Sequence, residues 1–232
     1  MTRALALLLA VVGGVGCSGL EANEAGVVGI EVRVPGPDSL EVGESIQLSA
    51  VPLDQNGDSV AAPITWECAD PTATIDATTG VLTGVSVGTA RVQANEGSLG
   101  SSFITFAVVA PADTVAISGD SIFTASVLSE TFPIFTALLS SNNPPGPLAS
   151  RGVVFAVTYP DPLTTAPSVA LTTNHQLTDT VLTAADGTAI TSLELVPGAA
   201  APDSAVVTVS ATRVRGAVVP GSGQRFVLHF TP

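Results

Sequence analysis

Lysine is absent from this chain, and its basic charge rests on seven arginines against 20 acidic residues. A surface of that sign repels phosphate backbones and anionic headgroups, so nucleic acid and acidic lipid surfaces are disfavoured partners. Aromatic residues make up only 4% of the sequence, with one Trp and one Tyr. Val, Ile, Leu and Ala must therefore fill any core, and the aromatic platforms that sugar-binding modules commonly present are scarce. Two cysteines, Cys17 and Cys68, have neither the number nor the spacing for a zinc cage. No Gly-rich phosphate loop leads into a helix, and no basic, aromatic-bearing surface suggests nucleic-acid recognition.

What the chain does carry is strand signal. From Ile64 to Ala94, short β-forming runs are cut by Asp70-Pro71, Thr79-Gly80 and Val87-Gly88. Apolar residues recur at every second position in Ile46, Leu48 and Ala50 and again in Ala90, Val92 and Ala94, the period that turns one strand face to a core. Gly29 to Val34 reads as an opening strand, Ser45 to Leu53 as the next, Asp54 to Asp58 as a turn and Phe103 to Val109 as the closing strand. Ala110-Pro111-Ala112 is expected to be a hinge, because Pro interrupts strand pairing. Beyond it, Ile134 to Leu139, Val153 to Thr158, Ala189 to Val196, Ala205 to Thr212 and Phe226 to Phe230 are strand candidates. The Pro-rich run from Asn142 to Pro147 is expected to be a surface loop.

Trp66, Asp70, Ile75-Asp76, the turn Gly80-Val81-Leu82-Thr83-Gly84 and the strand Gly88-Thr89-Ala90-Arg91-Val92 stand in the order of the bacterial Ig-like group 2 motif. Residues 29–109 resemble that family, which implies a β-sandwich over 27–109 with Trp66 packed in its core. In the remainder, Phe135 to Leu138, Val153 to Val157 and Asp186-Gly187 resemble invasin/intimin-type bacterial Ig-like repeats. The resemblance implies a second Ig-like β-sandwich over 113–232, so the fold class expected is all-β, with two tandem sandwiches. Cys68 replaces the small Ser usual in the motif and is expected to be buried or half-buried.

Residues 1–16 begin with Arg3, pass through the apolar run Ala4 to Val12 and end in small residues, the layout of a cleaved signal peptide too short to span a bilayer. Gly14-Val15-Gly16-Cys17 resembles a lipoprotein box, which implies lipidation of Cys17 and a lasting membrane anchor. Ordinary cleavage after Gly16 is the alternative. It would give a secreted chain and would leave open a Cys17 to Cys68 disulfide. Ser18 after the Cys is, in lipoproteins of this kind, compatible with export to an outer membrane. Residues 17–26 form a tether reaching at most about 30 Å. Without the signal, six Arg face 20 acids for a net charge of −14; residues 17–112 carry −10 of it and residues 113–232 carry −4.

Three motifs invite a chemical reading. Gly84-Val85-Ser86-Val87-Gly88 matches the G-x-S-x-G nucleophile elbow, which requires a strand, a strained turn and a following helix. Here an alternating strand follows instead, so Ser86 is read as a turn residue. A triad also needs a nearby His; His229 alternates with Phe226, Leu228 and Phe230 and faces outward, and His175 lies in a polar run. Asp54-Gln55-Asn56-Gly57-Asp58 opens like a calcium loop but lacks the following Gly and the distal Glu, while Asn56-Gly57 is a turn without any metal. No catalytic residue, metal ligand or cofactor is assigned on these grounds. Tyr159, beside Pro160-Asp161-Pro162, is the one polar aromatic in a loop.

The expected function is a non-enzymatic cell-envelope lipoprotein. Its Ig-like modules would act as spacer, adhesion or protein-binding units, with the membrane as partner through Cys17 and a surface protein or glycan at the loops. The alternative is a carbohydrate- or peptidoglycan-associating module; a Ser hydrolase is the third reading. The expected location is the outer membrane or cell surface, or the medium if Cys17 is not acylated.

Overall fold

The computed structural model describes residues 26–161 and 166–232. The signal peptide, Cys17 and nearly all of the tether lie outside the described residues. Among those described, every regular element is a strand. The N-terminal half contains β1 (Gly29–Arg33), β2 (Ser39–Glu41), β3 (Ser45–Gln47), β4 (Ser49–Leu53) and β5 (Thr65–Cys68). It continues with β6 (Ala73–Ile75), β7 (Val81–Gly84), β8 (Gly88–Glu96), β9 (Leu99–Gly100) and β10 (Ile104–Val109). The C-terminal half contains β11 (Thr114–Ser118), β12 (Ile122–Ser126), β13 (Phe135–Asn142), β14 (Pro145–Pro147), β15 (Gly152–Tyr159) and β16 (Val169–Leu171). It ends with β17 (Thr178–Leu182), β18 (Thr188–Thr191), β19 (Leu193–Leu195), β20 (Ser204–Ala211) and β21 (Gln224–Thr231).

Both halves repeat one plan. In the first, β1 pairs with β4, then the chain crosses to the opposite sheet, where β2 runs parallel to the last strand in the order β2-β10-β8-β5. In the second, β11 pairs with β13, and β12 crosses to run parallel to β21 in the order β12-β21-β20-β15-β17. An opening strand shared between two sheets, with its second part parallel to the closing strand, closes an Ig-like sandwich without a long edge. The fold class is all-β and Ig-like. No strand pairs across residue 110 among the described residues, and the buried apolar residues fall into two separate clusters.

The period-2 reading places side chains correctly. Ala90, Val92 and Ala94 are buried together, as are Ala205, Val207, Val209 and Ala211. With few aromatics, the second core centres on one cluster in which Phe135 stacks on Phe226 at 4.8 Å and Phe123 leans on both. Three expectations are corrected. The run from Ser45 breaks at Leu48, so that β3 pairs with β7 and β4 with β1, and the run from Ala189 breaks at Ser192, so that β18 pairs with β13 and β19 with β16. The Pro-rich segment is a hairpin rather than a loop: β14 pairs with the end of β13, Asn142 opposite Pro145. Pro is tolerated there because β14 is an edge strand whose missing N–H leaves no ladder bond unmade.

Candidate functional site

The Trp66 motif is an architectural unit. Trp66 is only 6% exposed, and its backbone N–H donates to the Ala77 carbonyl, tying β5 to the Asp76 turn. Asp76 accepts the amides of Thr79 and Thr78 at 2.7 and 3.0 Å, and those donors hold its carboxyl below the usual range. Gly80 adopts φ +74° over the indole, where a Cβ would stand 2.7 Å from Trp66 Nε1. Gly84 serves close approach instead: a Cβ there would meet the Glu41 carbonyl at 2.7 Å. Asp70 accepts three bonds from Arg91, through the backbone N–H, Nε and Nη2, and the guanidinium lowers its carboxyl pKa.

The chemically suggestive motifs resolve into turns. Ser86 sits on a bend that continues into β8, with exposed Val85 and Val87 beside it, while His175 and His229 belong to the other half. Asp54 Oδ1 is taken by the amides of Asp58 and Asn56 at 2.9 and 2.8 Å, which lower its carboxyl pKa. Cys68 is half-buried, its thiol 3.3 Å from the Asp70 carbonyl. His229 points outward from β21 between buried Leu228 and half-buried Phe230.

In the segment expected as a hinge Pro111 and Ala112 are buried and Ala110 is half-buried, and the segment lies in a charged cluster that no sequence motif marks. Glu41, at the end of β2, is fully buried. Arg151 Nη2 donates to its Oε1, Arg213 Nη1 lies 3.3 Å from Oε2, and the amides of Ala112 and Val214 donate at 3.2 and 3.3 Å. Arg213 also donates to Asp113 Oδ1 at 2.8 Å, and Arg151 Nη1 to the Ala110 carbonyl at 3.2 Å. Arg215 reaches across to the carbonyls of Pro35, Pro37 and Ser39. Three of the four arginines of the C-terminal half thus grip the N-terminal half. A carboxylate taken from water is tolerable only when its lone pairs are satisfied in this way, and the geometry that satisfies them fixes how the halves meet.

The strand directions place everything else relative to this junction. Within the N-terminal half, β1 begins at Gly29 opposite Leu53, away from Glu41, so the chain enters at the far end and leaves at the junction after Val109. In the C-terminal half, β15 runs outward from Arg151 and β13 runs inward to Asn142, whose amide donates to Asp113. The segments 127–134, 172–177 and 196–203 therefore gather at the end remote from the junction. There Leu128 and Ile134 are 84% and 63% exposed, and Tyr159 stands half-exposed beside Pro160, Pro167 and Asp203. His175, at φ 59°, holds a left-handed tip and its Nδ1 lies 2.5 Å from Glu194 Oε1. The junction gave no signal in the sequence, since the partners of Glu41 lie 71 and more residues away from it.

No family model matches the chain. No curated protein matches it either. Among solved structures, the Escherichia coli adhesin FdeC aligns at 18% identity and TM-score 0.44, over 88% of this chain and 64% of that one. Fibronectin(III)-like modules of Clostridium thermocellum CbhA align at 16% identity and TM-score 0.40, over 87% and 94%. The Yersinia pseudotuberculosis adhesin InvE aligns at 15% identity and TM-score 0.38, over 84% of this chain and 57% of that one. The chain thus spans less than two thirds of either adhesin.

Proposed function

We propose that the chain is a non-enzymatic cell-envelope lipoprotein whose two tandem Ig-like domains, 27–109 and 113–232, form a stiff spacer with an adhesive tip. The observation that carries this reading is the polarity of the molecule. The chain enters at one end of the first half, a buried ionic junction joins the halves, and the long loops lie at the opposite end. A surface spacer needs that order, because contact loops work best on a rigid scaffold held away from the anchor. The anchor is Cys17, acylated after removal of residues 1–16. The partner met at the tip is a surface protein or a glycan.

Incorporation of labelled palmitate into the wild type and its loss in Cys17→Ala test the anchor. Equal label in both removes it. Protease shaving of intact cells tests the location, with release of the C-terminal half expected and full protection placing the chain inside. A second reading, carbohydrate or peptidoglycan association, draws support from Tyr159 at the rim of a Pro-lined groove, since an exposed phenol ring can stack on a sugar face. A glycan array without signal, or with signal unchanged in Tyr159→Ala, excludes it.

A further inference from the structure

Strand β17 ends the five-stranded sheet of the C-terminal half and pairs with β15 only. Val157 N donates to the Leu177 carbonyl at 2.7 Å and Thr183 N to the Arg151 carbonyl at 2.9 Å, the outer rungs of a ladder that continues through Asp179 and Val181. In an antiparallel pair, residues alternate between facing the partner strand and facing away, so the backbone groups of Thr178, Thr180 and Leu182 point away from β15. That edge is open. All three residues are exposed, Leu182 at 66%. Among the described residues the one bond that reaches the edge runs from Asn174 Nδ2 to the Thr178 carbonyl at 2.9 Å, which leaves that oxygen a second lone pair. No Pro, Gly or Lys guards the strand, and its one charge, Asp179, is half-buried on the face it shares with Val181.

The strand complements itself. Turned about a two-fold axis at Thr180, a second β17 sets Thr180 against Thr180 and Thr178 against Leu182, so that every outward N–H and carbonyl is met and Asp179 faces Val181. Sliding the copies one hydrogen-bonding step toward Thr178 sets Asp179 against Asp179, and like charges directly opposite are destabilising. A step the other way leaves Thr178 unmatched. The axis also reverses the copy. Because β15 runs outward from the junction, β17 runs back toward it, and the two chains then point in opposite directions. Their N-terminal halves, −10 each, lie at opposite ends, while the halves that carry −4 meet. We propose that β17 pairs with β17 of a second copy anchored on an apposed surface, a two-fold contact that joins two five-stranded sheets into one. Main-chain pairing supplies the affinity in such a contact, and the register supplies selectivity. The assignment rests on the adhesive reading and names the partner as the chain itself.

One edge strand buries less than the roughly 1,200 Å² of a standard interface, so the pair is weak in solution and is multiplied where many copies face each other. Sedimentation equilibrium of the mature chain carrying Cys17→Ser, at high concentration, is expected to show monomer and dimer and nothing larger, because a two-fold contact is closed. Thr180→Pro removes an N–H that no ladder bond uses, and is expected to abolish the dimer with little change in melting temperature. Thr124→Pro on β12, at the other edge of the same sheet, is expected to leave the dimer intact. In the same background, Thr180→Cys is expected to give a disulfide-linked dimer on oxidation, since facing residues lie about 5.5 Å apart. Leu182→Cys, about 14 Å from its own copy in that register, is expected not to. A chain that stays monomeric, a dimer lost in Thr124→Pro but kept in Thr180→Pro, or equal cross-linking of the two cysteine variants overturns the proposal. Beads coated through residue 17 separate the two ideas, with wild-type beads expected to clump and Thr180→Pro beads to stay dispersed. Beads that bind cell layers without clumping keep the adhesive reading and remove the pair. Beads that clump through Thr180, while cells bearing the chain neither clump nor bind, keep the pair and remove the adhesive reading.

Discussion

Glu41→Gln is the most informative perturbation, because it removes one charge from the junction while keeping the shape. In the wild type the carboxylate meets two guanidinium groups and two amides, and its side chain is 0% exposed. Stripping one member from a buried pair costs about 3–5 kcal/mol when the other is left bare. Here Arg213 keeps Asp113, Arg151 keeps the Ala110 carbonyl, and their side chains are 31% and 17% exposed. The remaining partners and water offset part of the loss, so about 2–3 kcal/mol is expected. The chain supplies its own probes: its single Trp lies in the N-terminal half, so fluorescence follows that half while far-UV dichroism follows both. Urea unfolding of the wild type should give coincident transitions, and Glu41→Gln should separate them and shift the Trp66 transition to lower urea. Solution scattering should show a broader distribution of sizes in the variant. Coincident transitions within about 0.5 kcal/mol of wild type, with unchanged scattering, would refute the claim that the cluster joins the halves.

Further outcomes follow from the same geometry. Gly80→Ala forces a methyl against the indole at a left-handed φ and should cost about 1–3 kcal/mol in thermal melts, whereas Gly97→Ala, with the same sign of φ and open space, should cost less. Trp66→Ala should cost about 3–5 kcal/mol by the same measurement, through the cavity it leaves. Asp54, Asp70 and Asp76 all have folded-state pKa values below their ordinary ones, so their contribution to stability is complete above the ordinary carboxylate range and is lost as pH falls through the lowered values. Asp76→Ala should flatten that acid dependence of the urea midpoint. An unchanged slope would show that the Thr78 and Thr79 amides do not act through the charge of Asp76.

The strands with a buried face were legible because alternation is a local property. Ala90, Val92 and Ala94, or Val207 and Val209, point the same way in any sheet that accepts them, and the turns at Asp54 and Asp76 are built from donors within four residues. Strands such as β2 and β12 escaped notice because five residues or fewer of mixed polarity have no period to read, and β16 because three apolar residues in a row have none either. The breaks at Leu48 and Ser192 escaped it too, since a strand that changes sheets keeps its alternation and only its partners differ.

By itself the sequence determined the all-β class, the acidic net charge and the burial of Trp66. Each of these depends on residue type or on spacing within a strand or a turn. Tertiary structure alone decided that Glu41 meets Arg151 and Arg213 and that Pro111 and Ala112 are buried rather than free. Such contacts join residues far apart along the chain, and a carboxylate reads the same in sequence whether it faces water or two guanidinium groups.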